Sequence, residues 1–229
     1  MKKKKSVVLL SGGLDSNVIF SVAIKKKFDV HFRSFDYGQR HKRELFFAKK
    51  QVKLQKVNSH KIFKIDFFGG SALTHNIKVP INRNVNEIPD KIPVTYVPAR
   101  NTIFLSYALG YAGYINAQDI FLGVNFVDYS GYPDCRPEFI KLFEKLSNIA
   151  TKKSIEGEKF NIHTPLIKMT KDQIIRLGTK NKVDFKNTTS CYNPFEKVSC
   201  GKCDSCLLRK KGFEEARLKD PIEYAKNNV

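Results

Sequence analysis

The sequence predicts an α/β protein built on a doubly wound, Rossmann-like parallel sheet, with a small C-terminal zinc-binding module. Three observations carry this. A short apolar run, Val7-Val8-Leu9-Leu10, is followed at once by two glycines and then by apolar residues at helical spacing. Strand-like and helix-like periodicity goes on alternating beyond residue 170, as a parallel sheet covered on both faces requires. Four of the five cysteines then fall together, at Cys191, Cys200, Cys203 and Cys206. With 229 residues there is room for one full α/β core and a small appendage. The expected division is 1–183 and 184–229.

Taken in order, 7–10 reads as a strand buried on both faces, and 14–23 as a helix with Leu14, Val18, Ile19, Val22 and Ala23 on its apolar side. A strand over 29–35, a helix over 44–54 and a strand over 61–67 repeat the unit. The stretch 69–98, rich in Gly, Pro and Asn, is too long for a connector and reads as an excursion lying over a site. Periodicity returns with a helix over 102–115, a strand over 119–124, a helix over 137–149 opened by Pro137, and a short strand over 160–163. Thr170 is placed to cap a further helix, with Gln173 as its capping-box partner. Ligands of such a sheet bind outside the carboxyl ends of its strands.

The formal charge of +19 suits a polyanionic partner, but 32 of the 41 basic residues are Lys, scattered in pairs and triples. Lysine lacks the planar fork with which Arg reads bases and phosphates, so a solvated surface is favoured over a stable nucleic-acid face. No apolar run has the length of a membrane helix, and 7–10 is too short for a secretory core. The expected compartment is the cytoplasm.

Adjacent glycines between a buried strand and a helix let backbone N–H groups approach an anion, and the helix N-terminus adds partial positive charge. Ser11 and Ser16 add hydroxyls, while Asp15 puts a carboxylate beside the phosphates, which a bridging Mg²⁺ reconciles. The plainer reading is a tight turn with a dipole-compensating Asp. Neither the G-x-x-x-x-G-K-[ST] phosphate loop nor the G-x-G-x-x-G fingerprint occurs. Ser11-Gly12-Gly13-Leu14-Asp15-Ser16 instead resembles the S-G-G-x-D-S loop of the ATP pyrophosphatase (PP-loop) superfamily, whose fold is that of the adenine nucleotide alpha hydrolases. The resemblance implies ATP binding along Leu10, Ser11, Gly12, Gly13, Leu14, Asp15, Ser16, Asn17, Val18, Ile19 and Phe20, with adenylation of a substrate oxygen. It also implies a phosphate-neutralising role for Lys171, otherwise an ordinary first-turn lysine. Arg100 and Asn101 would lie near ATP, or cap a helix.

Clustered cysteines in an intracellular chain are more often metal ligands than disulfides. Cys200-Gly-Lys-Cys203-Asp-Ser-Cys206 with Cys191 makes four thiolates, a closed tetrahedral Zn²⁺ site of structural type. The long gap before Cys200 and the absence of a trailing Cys-Pro favour zinc over an iron–sulfur cluster. Cys135 reads as a buried thiol or as a substrate-facing one.

Asp36-Tyr37-Gly38-Gln39-Arg40-His41, Val97-Pro98-Ala99-Arg100-Asn101, Asp128-Tyr129-Ser130-Gly131-Tyr132-Pro133-Asp134-Cys135-Arg136-Pro137 and the cysteine tail closely resemble the 7-cyano-7-deazaguanine synthase family of the queuosine precursor pathway. Ala99 departs, standing where Gly is more usual. The resemblance covers nearly the whole chain. It implies a homodimer that turns 7-carboxy-7-deazaguanine and ammonia into the nitrile with two ATP, through adenylation of a carboxylate and then of an amide. Within it Asp15, Lys171 and Arg136 are the expected catalytic residues, Arg136 holding the substrate carboxylate as a bidentate fork. Asp134 and Tyr132 are expected at the deazaguanine, with a role in shaping the loop as the alternative for both Asp134 and Arg136. The rivals are a PP-loop enzyme that adenylates a tRNA base, and a zinc-ribbon nucleic-acid binder.

Overall fold

A computed structural model describes residues 3–40, 42–55, 57, 59–66, 69–83, 91–127, 131–195 and 198–226. His41, residue 67 of the third expected strand, 84–90 of the excursion and Asp128-Tyr129-Ser130 lie outside the described residues.

Alternation of side chains across a pleated strand decides how the core divides. In β1 (Lys5–Leu9) Val7 and Leu9 face one way, and Val8, with Leu10 just beyond the strand, the other. Val7 and Leu9 pack with Leu105, Ala108 and Ala112 of α3 (Arg100–Ile115) and with Ile140 and Phe143 of α4 (Pro137–Ile149). Val8 and Leu10 meet Val18 and Ile19 of α1 (Leu14–Lys25), Ala48 and Val52 of α2 (Arg43–Leu54) and Ile174 and Ile175 of α6 (Lys171–Lys180). Each fully buried Val or Ile of this set contributes about 1.5–3 kcal/mol.

β2 (Asp29–Asp36) and β3 (His60–Lys64) extend the sheet on one side of β1, and β4 (Asp119–Phe121) and β5 (Asn161–His163) on the other. The order is β3-β2-β1-β4-β5, with every pair parallel. The direction of winding reverses between β1 and β4, which opens a crevice at their carboxyl ends.

The differences from the expected boundaries have local causes. β4 stops at Phe121 rather than 124, because Gly123 passes over the first turn of α1, where a Cβ would lie 3.1 Å from the Ser16 nitrogen. α3 starts before Thr102, because the Asp134 carboxylate accepts the Asn101 backbone N–H at 2.9 Å and caps the helix from outside its own segment. A one-turn α5 (Lys152–Ile155) follows α4. α6 opens after Thr170, whose N–H donates to Gln173 Oε1 at 3.1 Å. α7 (Asp204–Glu215) begins two residues before Cys206 and packs on α6, Phe213 and Ala216 joining the apolar cluster that holds Val8 and Leu10. Among the described residues no helix is long and apolar enough to cross a membrane.

Candidate active site

The crevice at the β1/β4 switch is a cavity, and its floor is the turn between β1 and α1. Within 10–20, Leu10, Ser11, Gly13, Leu14, Asp15 and Ser16 line it. Asn17, Val18, Ile19 and Phe20 are buried in α1, and Gly12 lies beneath α2. The loop is tied by its own hydroxyls. Gly12 N–H donates to Ser16 Oγ (3.2 Å), Gly13 N–H to Ser11 Oγ (3.1 Å), and Ser16 Oγ to the Gly13 carbonyl (3.0 Å). These hydroxyls and N–H groups cluster at this helix N-terminus and are the donors an anion there would draw from the loop's internal bonds.

Lys171, first residue of α6, donates its Nζ to both carboxylate oxygens of Asp15, at 2.9 and 3.0 Å. Only 9% of its side chain is exposed, so the pair is a partly desolvated ion pair inside the cavity. Gly212 of α7 presses on the Lys171 stem: a Cβ there would stand 2.4 Å from Lys171 Cγ. The tail thus sets the path of the lysine toward the loop.

The opposite wall comes from α3 and the 131–137 segment. Arg100 and Asn101 line the cavity with Tyr132 and Cys135. Burial opposes the charge on Arg100, but Tyr37, Cys135, Tyr132 and Asp134 around it push its pKa up, so it stays cationic. Tyr132 is buried with its hydroxyl 2.8 Å from Thr95 Oγ1. Cys135 is both buried and cavity-lining; Asn101 Nδ2 donates to its sulfur at 3.3 Å, and burial pushes its thiol up to about 12.

Two residues expected at the substrate are not among those lining this cavity. Arg136 is exposed and lies outside the cavity lining, because it is the extended N-cap residue ahead of Pro137 at the start of α4. Asp134 is buried and outside the lining as well, its carboxylate committed to the α3 N-terminus.

Several lining residues had no role in the sequence reading. Arg33 on β2 lies 3.4 Å from the centroid of the Tyr111 ring and reaches the cavity. Glu44 in the first turn of α2 lines the cavity beside Tyr37 and Gln39. Burial pushes its carboxyl up to about 7, against the pull of Arg100. Leu122, Gly123, Val124 and Asn125 line it just beyond the end of β4, and Leu73 comes from the excursion. The rule that ligands sit at strand carboxyl ends was the available signal for 122–125. Nothing in the spacing around Glu44 marked it off from a helix-start acid.

Thr189, Ser190, Cys191 and Tyr192 complete the wall, so the tail reaches the cavity. Thr189 N–H bonds the Gly12 carbonyl at 3.3 Å. Arg209, 1% exposed, anchors this stretch through Asp220 (2.8 and 2.9 Å), Thr188 Oγ1 (2.9 Å) and the Phe185 carbonyl (3.2 Å). Beside it the sulfurs of Cys191, Cys200, Cys203 and Cys206 lie within 4.8 Å of one another. Cys200 N–H donates to Cys191 Sγ at 3.2 Å and Tyr192 N–H to Cys203 Sγ at 3.4 Å. Four converging sulfurs with N–H donors suit a tetrahedral ion. The excursion is fastened here too, Asn82 N–H donating to the Lys202 carbonyl at 2.8 Å.

A parallel sheet with a glycine cradle at its switch point, a lysine reaching the cradle from a later helix and a four-cysteine tail in the cavity wall defines a PP-loop-like α/β enzyme. The model of the family described as queuosine biosynthesis protein QueC matches residues 5–217, and the chain belongs to that family. It is 54% identical over 225 residues to a 7-cyano-7-deazaguanine synthase of Rickettsia akari, covering 96% of this chain and 99% of the relative. Relatives of the same description from Desulfatibacillum aliphaticivorans (54% over 228 residues; 98% of each chain) and Acetivibrio thermocellus (54% over 222 residues; 96% and 98%) are as similar.

Proposed function

We propose that this chain is an ATP-dependent carbon–nitrogen ligase that makes 7-cyano-7-deazaguanine from 7-carboxy-7-deazaguanine and ammonia. The observation that carries the reading is a single cavity lined at once by the glycine loop, Lys171 and Arg100. It offers one place for a polyphosphate and, facing it, a cation for a second anion. A carboxylate oxygen attacks the α-phosphorus of ATP, pyrophosphate leaves, and ammonia displaces AMP to give the amide. Adenylation of the amide oxygen by a second ATP then makes the carbon–oxygen bond cleavable, and AMP departs as the nitrile forms.

The loop N–H groups, Ser11 and Ser16 hold the phosphates in this reading. Lys171 moves between Asp15 and the phosphates. Asp15 is the carboxylate that would hold Mg²⁺, which when bound neutralises phosphate charge. Arg100 takes the substrate carboxylate, the role expected of Arg136, since it is the guanidinium that lines the cavity on that side. Tyr132 and Asn101 flank the substrate. Residues 184–229 serve as a module by role, the four cysteines holding about one Zn²⁺ per chain. Residues Leu142, Leu146 and Ile149 form an exposed apolar stripe on α4 that suits a second copy of the chain in a homodimer.

The test is incubation of the protein with 7-carboxy-7-deazaguanine, ammonium, ATP and Mg²⁺. AMP, pyrophosphate and nitrile are expected together. Their joint absence overturns the reading, and tight, steeply salt-dependent tRNA binding would favour a tRNA-modifying enzyme instead.

A further inference from the structure

The proposed reaction has a proton inventory that its ATP chemistry does not cover. Nitrogen enters as ammonia with three hydrogens and ends in the nitrile with none, and carboxylate and nitrile have the same oxidation level. Three protons therefore leave one nitrogen atom in the cavity, where a nearby group must accept them.

The groups facing that space narrow the choice. Asp15 is paired with Lys171 in this structure and, in the reading above, is the carboxylate that would hold Mg²⁺. Asp134 is outside the cavity lining and committed to the α3 N-terminus. The Cys135 thiol is pushed up by burial to about 12, and burial raises Tyr37 and Tyr132 as well. Arg33, Arg100 and Lys171 are cations. Arg43, on the same helix as Glu44, has its guanidinium 5.3 Å from the Phe47 ring. Glu44 remains, a carboxylate lining the cavity beside Tyr37 and feeling the charge of Arg100. The same turn of α2 places the Glu44 carbonyl directly against Gly12, so this acid is fixed beside the phosphate loop by close backbone packing.

Resting on the functional reading above, we propose that Glu44 is the general base that removes the nitrogen-bound protons in both halves of the reaction. In the first half the ammonia lone pair forms the C–N bond, one N–H proton passes to the Glu44 carboxylate, and the C–O bond to AMP breaks with its electron pair leaving on the phosphate oxygen. In the second half the remaining two N–H protons pass in turn to Glu44 and on to water. The nitrogen electrons close the C≡N bond, and AMP again carries off the C–O pair. A carboxyl titrating near 7 is suited to accept and release each proton at neutral pH.

The test separates adenylation from proton removal. Glu44→Gln is expected to keep carboxylate-dependent ATP–pyrophosphate exchange within about threefold of the parent, while conversion of the amide to the nitrile slows about 10²–10³-fold. The amide half uses no ammonia, so the titration of ammonium does not enter. In the unsubstituted protein its single-turnover rate should rise with pH through a limb near 7 and level off, because the base acts when unprotonated. Glu44→Asp should move that limb. Nitrile formation by Glu44→Gln at the parent rate, an equal loss of exchange and nitrile formation, or a flat pH profile in the unsubstituted protein each overturn the proposal. If Glu44→Gln does not fold, Glu44→Asp and the parent profile decide. Absence of carboxylate-dependent exchange in the unsubstituted protein sinks the functional reading instead, and is a distinct result.

Discussion

Gly12 is held at φ +93°, and a Cβ on it would stand 2.0 Å from the Glu44 carbonyl oxygen and 2.8 Å from the Ala48 nitrogen. Its smallness therefore serves the seating of α2 as much as the approach of an anion. Gly12→Ala should cost about 2–5 kcal/mol, from backbone strain together with overpacking, read as a lower denaturation midpoint in urea. Unchanged stability would mean that α2 gives way. Asp15 differs: its carboxylate lines the cavity and is the more exposed member of its pair with Lys171, so Asp15→Ala should abolish turnover and leave the fold intact by circular dichroism. Retained activity would remove Asp15 from the mechanism. Glu44 carries a pH signature of its own. Its carboxyl rises from an ordinary 4.5 to about 7 on folding, so the fold favours the protonated form. The stability this contributes is complete below about 4.5 and is lost as pH rises through about 7. A scan of Tm against pH should fall less steeply across that window in Glu44→Gln than in the parent, and parallel curves would contradict the shift.

At the scale of elements, the apolar patterns were readable: β1 as a short continuous run buried on both faces, and α1, α2 and α4 as apolar residues at helical spacing packed onto the sheet. The glycine loop and the cysteine ligands were readable too, since local backbone and ligand chemistry fix their spacing. The remainder of the site depends on contacts between distant segments. Asp134 and Arg136 belong to one short motif, yet Asp134 is spent on the cap of α3 and Arg136 is turned out by the start of α4. Arg100 and Glu44 come together from helices separated by a strand and the long excursion. Ala99, at φ +52°, holds the left-handed turn before α3, where glycine would be unstrained; that is the physical content of expecting Gly there. The contact of α7 with α6 is equally invisible in spacing, and it bears on chemistry. Gly212→Ala would drive a methyl group into the Lys171 stem. Since about 1 Å of misplacement can cost about 10²-fold, nitrile formation should fall about 10–100-fold while zinc content stays the same. Full activity in that variant would show that the lysine reaches Asp15 without guidance from the tail.

Across the whole molecule, the tail connects the four-sulfur cluster to the cavity at the glycine loop through a continuous stretch of chain. Cys191 is at once a member of the four-sulfur cluster and part of the cavity wall, with Thr189, Ser190 and Tyr192 as its neighbours in that wall. Two anchors hold this stretch. One is the cluster, whose four sulfurs the proposed Zn²⁺ would hold together. The other is Arg209, clamped to Asp220, Thr188 and Phe185 without any metal. Chelation should therefore loosen the tail only in part. Hydrogen exchange is expected to speed up over 189–203 and to stay slow at 185–188, where the arginine clamp persists. The Thr189 bond to the Gly12 carbonyl lies at the border between the two, so the phosphate loop loses its tail-side support with the metal. ATP affinity should then drop by about tenfold or more, recovering when zinc is restored. Chelated protein that binds ATP as tightly as the metal-loaded form would confine the ion to its own loop and leave the cavity wall to Arg209 alone.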